Sequence, residues 1–335
     1  MKLPIFKALQ VNEISEKKFQ SEIIERDITD LPAGDVLVKV YYSSINYKDA
    51  LSANGNKGVT RLYPHTPGID AAGIVIASTS DHFHEGEEVI VSGYDLGMNT
   101  AGGFGQFIRV PVEWVVSCPK ELGMRSSMIL GTAGFTAALC VEKLIANGLS
   151  ADGGNVLVTG ASGGVGTIAV MLLNKLGFQV VASTGKVTAH DLLKELGAKE
   201  VIDRSELNEL NPRPVLKERW AGAVDVVGGD TLLNVIKALN YGASVTACGL
   251  VQSAAFQASV LPFILRGVNL LGVDSVELPL YKKKTVWGKL ASDWSLSNLE
   301  SICTEIEFPE LSKNITKVLL GKATGRYLLN LQAER

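Results

Sequence analysis

The run Val156-Leu157-Val158-Thr159-Gly160-Ala161-Ser162-Gly163-Gly164-Val165-Gly166 limits the fold more than any other stretch of this chain. Its apolar, β-branched start predicts a short buried strand, and the glycine cluster after it opens a helical pattern from Val165 to Leu176. Glycines permit a sharp turn and let backbone approach a pyrophosphate closely. The helix N-terminus adds unpaired N–H groups and a positive dipole end. A second strand, Gln179 to Ser183, follows, which completes the setting a dinucleotide site requires. Ser162, Gly163, Gly164 and Val165 are the expected phosphate and ribose contacts.

The alternation continues with helix 188–196, a short strand at Val201-Ile202, strand 223–227, helix 230–240 and strand 243–248. Alternation with short loops predicts a parallel, doubly wound α/β sheet. The first third differs. Val36 to Ile45 alternates, and Val89 to Ser92, Phe107 to Val110 and Trp114 to Ser117 are further short strands between Gly/Pro/Asn-rich turns. Ser126 to Asn147 has helical length with Gly131 and Gly134 inside it, and the tail ends in a strand at Tyr327 to Leu331. The expected organisation is a discontinuous β-rich domain, 1–124 plus 266–335, with a nucleotide-binding domain, 125–265, inserted.

The 32 basic and 35 acidic residues are interspersed and leave a net charge of −3. No basic stripe of the kind needed for nucleic acid or a membrane surface is visible, and Lys282-Lys283-Lys284 is expected to be a solvated helix face. The four cysteines are far apart with no C-x-x-C pair, which rules out a zinc ribbon. Three of them are expected to be small buried hydrophobes. Met1 to Val11 lacks the apolar core of a signal peptide, and the apolar run around Ile129 to Val141 is too short to span a bilayer. A soluble, cytoplasmic, reducing-compartment protein is expected. His82 and His84 flank Phe83 in a turn-like stretch with no third metal ligand nearby and read as solvated.

An acid about 20 residues past the glycines would accept the ribose 2′-OH of NAD. Here that stretch is Ser183-Thr184-Gly185-Lys186, which has no carboxylate, and Arg204 follows the next strand. Hydroxyl, glycine and cation suit a 2′-phosphate, so NADPH is the expected cofactor. No Gly-Lys pair is followed by Ser or Thr, which excludes a Walker A loop. No tyrosine has a lysine four residues on, which argues against a short-chain dehydrogenase.

A β-rich module with an inserted NADP-binding domain resembles the medium-chain dehydrogenase/reductase superfamily, and the resemblance covers nearly the whole chain. It implies a Rossmann sheet inserted in a GroES-like catalytic domain. Zinc enzymes of that superfamily place Cys and His-Glu where this chain has Ser44-Ile45-Asn46-Tyr47-Lys48-Asp49 and Pro67-Gly68-Ile69-Asp70. The resemblance is therefore to the zinc-free, quinone-oxidoreductase-like branch, with no metal site. Closer still is the YhdH/YhfP group, whose characterised activity is NADPH-dependent acrylyl-CoA reduction. The segments that carry this are Ser44 to Ala50, Pro67 to Gly73, Gly131 to Ala137, Thr159 to Gly166, Pro262 to Arg266, Gly272 to Val276 and Gly325-Arg326. Lys186 departs from the Ser-Gly-Arg often found in the group; it keeps the charge and loses the bidentate fork.

Reduction of an activated C=C needs donors for the enolate oxygen and a proton for the α-carbon. Tyr47 is the candidate proton donor, with orientation of the nicotinamide as the alternative role. Lys48 is a candidate cation for the carbonyl or CoA, and Asn46 either fixes the turn or donates a hydrogen bond. Asp49 is expected to cap a helical turn and Asp70 to bond turn N–H groups. Thr132 and Thr136 are expected against the nicotinamide ribose or pyrophosphate, and the resemblance adds Leu250, Ile264 and Ser275 on the nicotinamide side. Lys57 and Arg61 are possible CoA-phosphate contacts. A short 2-enoyl-CoA is the expected acceptor; a quinone or an α,β-unsaturated aldehyde or ketone is the alternative, and a non-catalytic NADPH-binding protein is a third reading. Superfamily resemblance also implies a homodimer.

Overall fold

The computed structural model describes residues 5–208 and 211–332. It divides into two compact units, one running up to Thr132 and resuming at Val276, the other Ala133–Ser275. Both boundaries fall later than the expected cuts at 124/125 and 265/266. Thr132 is bonded into the first unit through Asp70. The strand Asn269–Gly272 extends the parallel sheet of the second unit by pairing with its neighbour at Ser244–Ala247.

The first unit opens with a hairpin of β1 (Ile5–Ser15) and β2 (Lys18–Asp27). Then come β3 (Val36–Ser44), α1 (Tyr47–Ala53), β4 (Asp70–Ser78), β5 (Glu88–Ser92), β6 (Phe107–Val110) and β7 (Val115–Ser117), and α2 (Gly123–Ala146) carries the chain across the boundary into the second unit. α2 bends at Gly131, whose φ of 51° and ψ of −159° are non-helical. That conformation suits a glycine, because a side chain there meets steric strain. In the second unit the order is β8 (Asn155–Val158), α3 (Gly164–Lys175), β9 (Gln179–Thr184), α4 (His190–Glu195), β10 (Ala198–Asp203) and α5 (Ser205–Asn208). It continues with β11 (Trp220–Asp225), α6 (Gly229–Lys237), β12 (Leu239–Ala247), α7 (Leu261–Arg266) and β13 (Asn269–Gly272). The chain returns to the first unit as α8 (Leu280–Ala291), β14 (Cys303–Ile306), α9 (Phe308–Leu319) and β15 (Arg326–Asn330).

The second unit is a six-stranded sheet in the order β10-β9-β8-β11-β12-β13, with all pairings parallel. Right-handed crossovers with helices produce this order, and a crevice forms at its switch point beside β8. Its strands are nearly continuous apolar runs because helices cover both faces. Leu157, Val181, Ala223 and Val245 are fully buried in the resulting core.

The first unit closes around a seven-stranded sheet, β14-β15-β3-β4-β5-β7 with β6 on β3. Alternation puts Val36, Val38 and Val40 of β3 into one core with Val75, Val89, Val91, Ile108 and Leu329. Because β15 pairs antiparallel with β3, Leu328 faces Ser44, and the chain's last strand meets its first third.

Three composition readings change. Lys283, expected on a solvated face, is 1% exposed. Of the cysteines only Cys118 and Cys140 are buried, while Cys248 and Cys303 are partly accessible. α2 is long and apolar enough to cross a membrane, but 72% of its apolar window is buried, as in a core helix.

Candidate functional site

α1 begins at Tyr47 because Asn46 is extended and Asp49 folds back over the helix start. The Asp49 carboxylate accepts the Asn46 backbone N–H at 2.7 Å. Its other oxygen accepts the N–H groups of Gly68 at 3.1 Å and Ile69 at 2.8 Å. One buried acid thus ties the start of α1 to the turn that launches β4. Burial is the main cause that pushes its pKa up to about 7, with the Asp70 charge adding to it and the Asn46 and Ile69 N–H groups opposing.

Beside it, Asp70 gathers four donors. Its Oδ2 accepts Ser44 Oγ at 2.6 Å, Asn46 Nδ2 at 2.7 Å and the Thr132 N–H at 2.8 Å, and its Oδ1 accepts Thr132 Oγ1 at 2.7 Å. The counter-charge is Arg326, 3% exposed, at the start of β15. Its Nε donates to Ile129 O at 2.9 Å and its Nη2 to Ser44 Oγ at 2.9 Å. Its Nη1 donates to Ile45 O and Asn46 Oδ1, both at 3.3 Å. Burial pulls the Arg326 pKa down, and the charges of Asp70 and Asp49 oppose it. The kink at Gly131 is packed against this cluster: a Cβ there would overlap Ser44 Oγ, Asp70 Oδ2 and Arg326 Nη2.

The network therefore uses several residues that the sequence suggested for other tasks. Asn46 is engaged at both ends of its amide, with Nδ2 on Asp70 at 2.7 Å and Oδ1 accepting from Arg326, which fixes the turn. Thr132 gives its hydroxyl and its N–H to Asp70. Asp70 binds three side chains and the backbone of the α2 kink, well beyond the local turn N–H groups expected. Tyr47 and Lys48, the first two residues of α1, are half-buried. Among the described residues the Tyr47 hydroxyl has no hydrogen-bond partner in the protein. Lys57 is paired with Glu13 at 2.8 Å and lies over the Tyr63 ring. His82 and His84 are exposed in a turn. Among the described residues no group of three or more His, Cys, Asp or Glu side chains is arranged to hold a metal.

In the second unit the glycine run forms the turn the sequence implies. Gly160 has φ 56°, and a Cβ at Gly166 would strike the backbone of Gly160 and Ala161, so helix and turn pack at glycine distance. Gly163 is the extended residue before α3 and carries no side chain to cap it. The exposed N–H groups at this end suit a pyrophosphate. Ser162 Oγ and Thr184 Oγ1 are 2.8 Å apart, and Thr184 Oγ1 also accepts the Lys186 N–H at 3.2 Å. A Cβ on Gly185 would overlap the Arg204 guanidinium, so Gly185 makes room for it. Thr184, Gly185, Lys186 and Arg204 are thus one cluster, and burial lowers the Lys186 pKa. Ser183 sits apart from it, 2% exposed within the sheet, where its carbonyl accepts Ala161 N–H.

At the carboxyl ends of β11 and β12, Gly249 and Leu250 pack on Val226 and Gly228, and Leu250 is 52% exposed. Thr136 Oγ1 donates to Ser275 Oγ at 2.9 Å, joining two further expected cofactor contacts. Ile264 is 70% exposed on α7, whose Arg266 grips the carbonyls of Leu216, Lys237 and Leu239 at the start of β12. A nicotinamide dinucleotide thus fits the glycine turn, the hydroxyl pair and the two cations.

A Rossmann unit with this turn, joined to a GroES-like sheet whose buried acid–arginine network occupies the segments that zinc enzymes use for ligands, defines a dinucleotide-dependent oxidoreductase class. Family models agree: residues 32–120 match the alcohol dehydrogenase GroES-like domain and 164–291 the zinc-binding dehydrogenase domain. The acrylyl-CoA reductase AcuI of Ruegeria pomeroyi is 42% identical over 98% of this chain and all of its own. The YhdH oxidoreductase of Salmonella enterica, solved with NADP, has a TM-score of 0.94 at 43% identity, covering 97% of this chain and 100% of that one. YhfP of Bacillus subtilis, solved with NAD, has a TM-score of 0.94 at 43% identity, covering 98% and 100%. The chain belongs to the medium-chain dehydrogenase/reductase superfamily, in its zinc-free, quinone-oxidoreductase-like YhdH/YhfP group.

Proposed function

We propose that this oxidoreductase reduces the C=C bond of a short 2-enoyl-CoA, of the acrylyl-CoA type, with NADPH as the reductant. The observation that carries the acceptor is the 42% identity to an acrylyl-CoA reductase along 98% of the chain. NADPH is supported by the cluster of Thr184, Gly185, Lys186 and Arg204, which offers two cations and no carboxylate to a 2′-phosphate.

Bound there, NADPH supplies the hydride. The protein's own part is to hold both reactants and to manage a proton. Gly163 and the start of α3 hold the pyrophosphate, Ser162 and Thr184 the adenosine ribose side, and Thr136 with Ser275 the nicotinamide side. Leu250 and Ile264 add apolar surface. Tyr47 is fixed at the helix start by Asp49 and Asn46, and its unpartnered hydroxyl donates the proton to the α-carbon or braces the nicotinamide. Lys48 gives a cation to the thioester carbonyl as charge develops there.

A quinone or a conjugated aldehyde or ketone is the second reading, because the same site serves a smaller acceptor. The assembly is a homodimer through the β13 edge of the sheet, where Leu270 is 38% exposed. Free thiols at all four cysteines suit the cytoplasm.

Steady NADPH oxidation with acrylyl-CoA, a benzoquinone and a free enone at matched concentrations tests the reading. The expected result is a kcat/KM for acrylyl-CoA about tenfold or more above the others, equivalent to roughly 1.4 kcal/mol. A quinone that outruns the thioester replaces the first reading with the second.

A further inference from the structure

The Lys282-Lys283-Lys284 run has a role that a solvated helix face does not explain. α8 carries four lysines and no acid in Leu280–Ala291, within a chain whose net charge is −3. Its buried stripe is Lys283, Val286, Trp287 and Leu290. Lys283 Nζ donates to Ser92 O at 2.7 Å and Val276 O at 3.0 Å and lies 3.4 Å from the Tyr94 ring centroid. This anchoring sets the rotation of the helix and turns Lys282 and Lys284 outward, both exposed. Among the described residues neither makes an ion pair. The opposite stripe reads Tyr281, Lys284, Thr285, Gly288 at the i, i+3, i+4, i+7 spacing of one face. Tyr281 is 67% exposed, and nothing lies within 4 Å of where a Gly288 Cβ would be. The result is an aromatic ring flanked by two cations over flat, open helix surface, fixed in orientation.

Within the same unit, hydrogen bonds and short backbone steps link the buried side of α8, opposite the Tyr281 stripe, to the start of the Tyr47 helix. Val276 O, held by Lys283, also accepts Tyr94 N–H at 3.1 Å, and the Tyr94 hydroxyl donates to Leu278 O at 3.1 Å. Gly93 N–H reaches Ile69 O at 3.2 Å, and Ile69 N–H reaches the Asp49 carboxylate that caps the Tyr47 helix.

We propose that the Tyr281, Lys282 and Lys284 face of α8 docks the 3′-phosphorylated ADP of the coenzyme A thioester, with adenine on Tyr281 and the phosphates on the two lysines. The proposal rests on the enoyl-CoA reading given above and names the substrate-recognition surface for it. Charge complementarity favours this occupant: a multiply charged anion offsets lysines placed in the first half of a helix, where the dipole opposes them. Stacking and ion pairing also contribute without any dedicated pocket.

The test compares acrylyl-CoA with acrylyl-pantetheine, which lacks the nucleotide, in the wild type and in a Lys282→Glu, Lys284→Glu double variant. The wild type is expected to show a KM for acrylyl-CoA about tenfold below that for acrylyl-pantetheine, shrinking as salt is added. The double variant raises the acrylyl-CoA KM by about tenfold and leaves the acrylyl-pantetheine and NADPH KM values within about twofold. A Lys313→Glu, Lys322→Glu control makes the same change in net charge at exposed positions elsewhere and has no such effect. Calorimetric titration of free CoA gives a readout independent of turnover, with binding expected for the wild type and lost in the double variant. A wild type indifferent to the nucleotide, or a double variant that binds CoA normally, overturns the dock while enoyl-thioester reduction stands. If neither thioester is turned over, the enoyl-CoA reading fails, and the CoA titration alone decides the dock.

Discussion

At the scale of single residues, Tyr47 and Asp49 carry the most testable chemistry. If the Tyr47 phenol delivers the α-proton, Tyr47→Phe lowers turnover by about 10²–10⁴-fold with little change in cofactor affinity. If the ring only braces the nicotinamide, Phe retains most activity and Tyr47→Ala raises the NADPH KM. A Tyr47→Ala enzyme with wild-type kinetics removes this residue from the site. Asp49 makes a prediction about pH. Its folded pKa of about 7 lies above the ordinary carboxylate value, so the native state holds a proton that the unfolded chain releases. That contribution is fully present below the unfolded pKa and is lost as pH rises through about 7. The unfolding midpoint of the wild type, measured relative to Asp49→Asn, therefore drops as pH rises from about 4 to about 7 and levels off above that. A difference independent of pH contradicts the assignment. Tyr47, Lys48 and Asp49 were visible in the sequence as a chemistry-rich helix start. Arg326 was not identified as a site residue, because its partners lie about 280 positions earlier, at Ile45 and Asn46. Gly325-Arg326 stood out only as a segment of the family resemblance, and its role became meaningful once β15 was paired with β3.

At the scale of elements, legibility followed periodicity. The strands and helices from Val156 to Ala247 emerge within a few residues of where alternation put them, because parallel strands covered on both faces are apolar throughout. The β1–β2 hairpin went unread, since β2 is largely exposed and its Glu, Lys and Ser residues carry little apolar contrast. A helix at Lys282-Lys283-Lys284 was expected but not the burial of Lys283, and the edge strand β13 spans only Asn269–Gly272. The turn after β9 was read most fully. Thr184, Gly185, Lys186 and Arg204 do form a cluster, because a strand end and the next strand's end meet at the same sheet edge. Lys186→Ala should raise the NADPH KM by about tenfold while leaving the NADH KM nearly unchanged, which collapses the cofactor preference. An unchanged NADPH-to-NADH ratio would falsify the role of this cluster.

At the scale of the whole molecule, the chain combines a widely used nucleotide-binding sheet with a β-rich unit in which hydrogen-bonded charges replace the metal ligands of zinc relatives. Breaking a buried acid–arginine network by removing one partner costs about 3–5 kcal/mol, so its members act on stability as well as on the site. Gly131 and β13 show which unit they belong to only through long-range bonds, which no local stretch of sequence carries. The central claim is that a hydride from NADPH reaches the C=C bond of an enoyl thioester and that a proton from water or protein completes it. Acrylyl-CoA turned over in ordinary water with NADPH carrying deuterium at the transferred position tests this directly by mass spectrometry of the product. The account predicts propionyl-CoA containing one deuterium; no propionyl-CoA, or propionyl-CoA without the label, would contradict it.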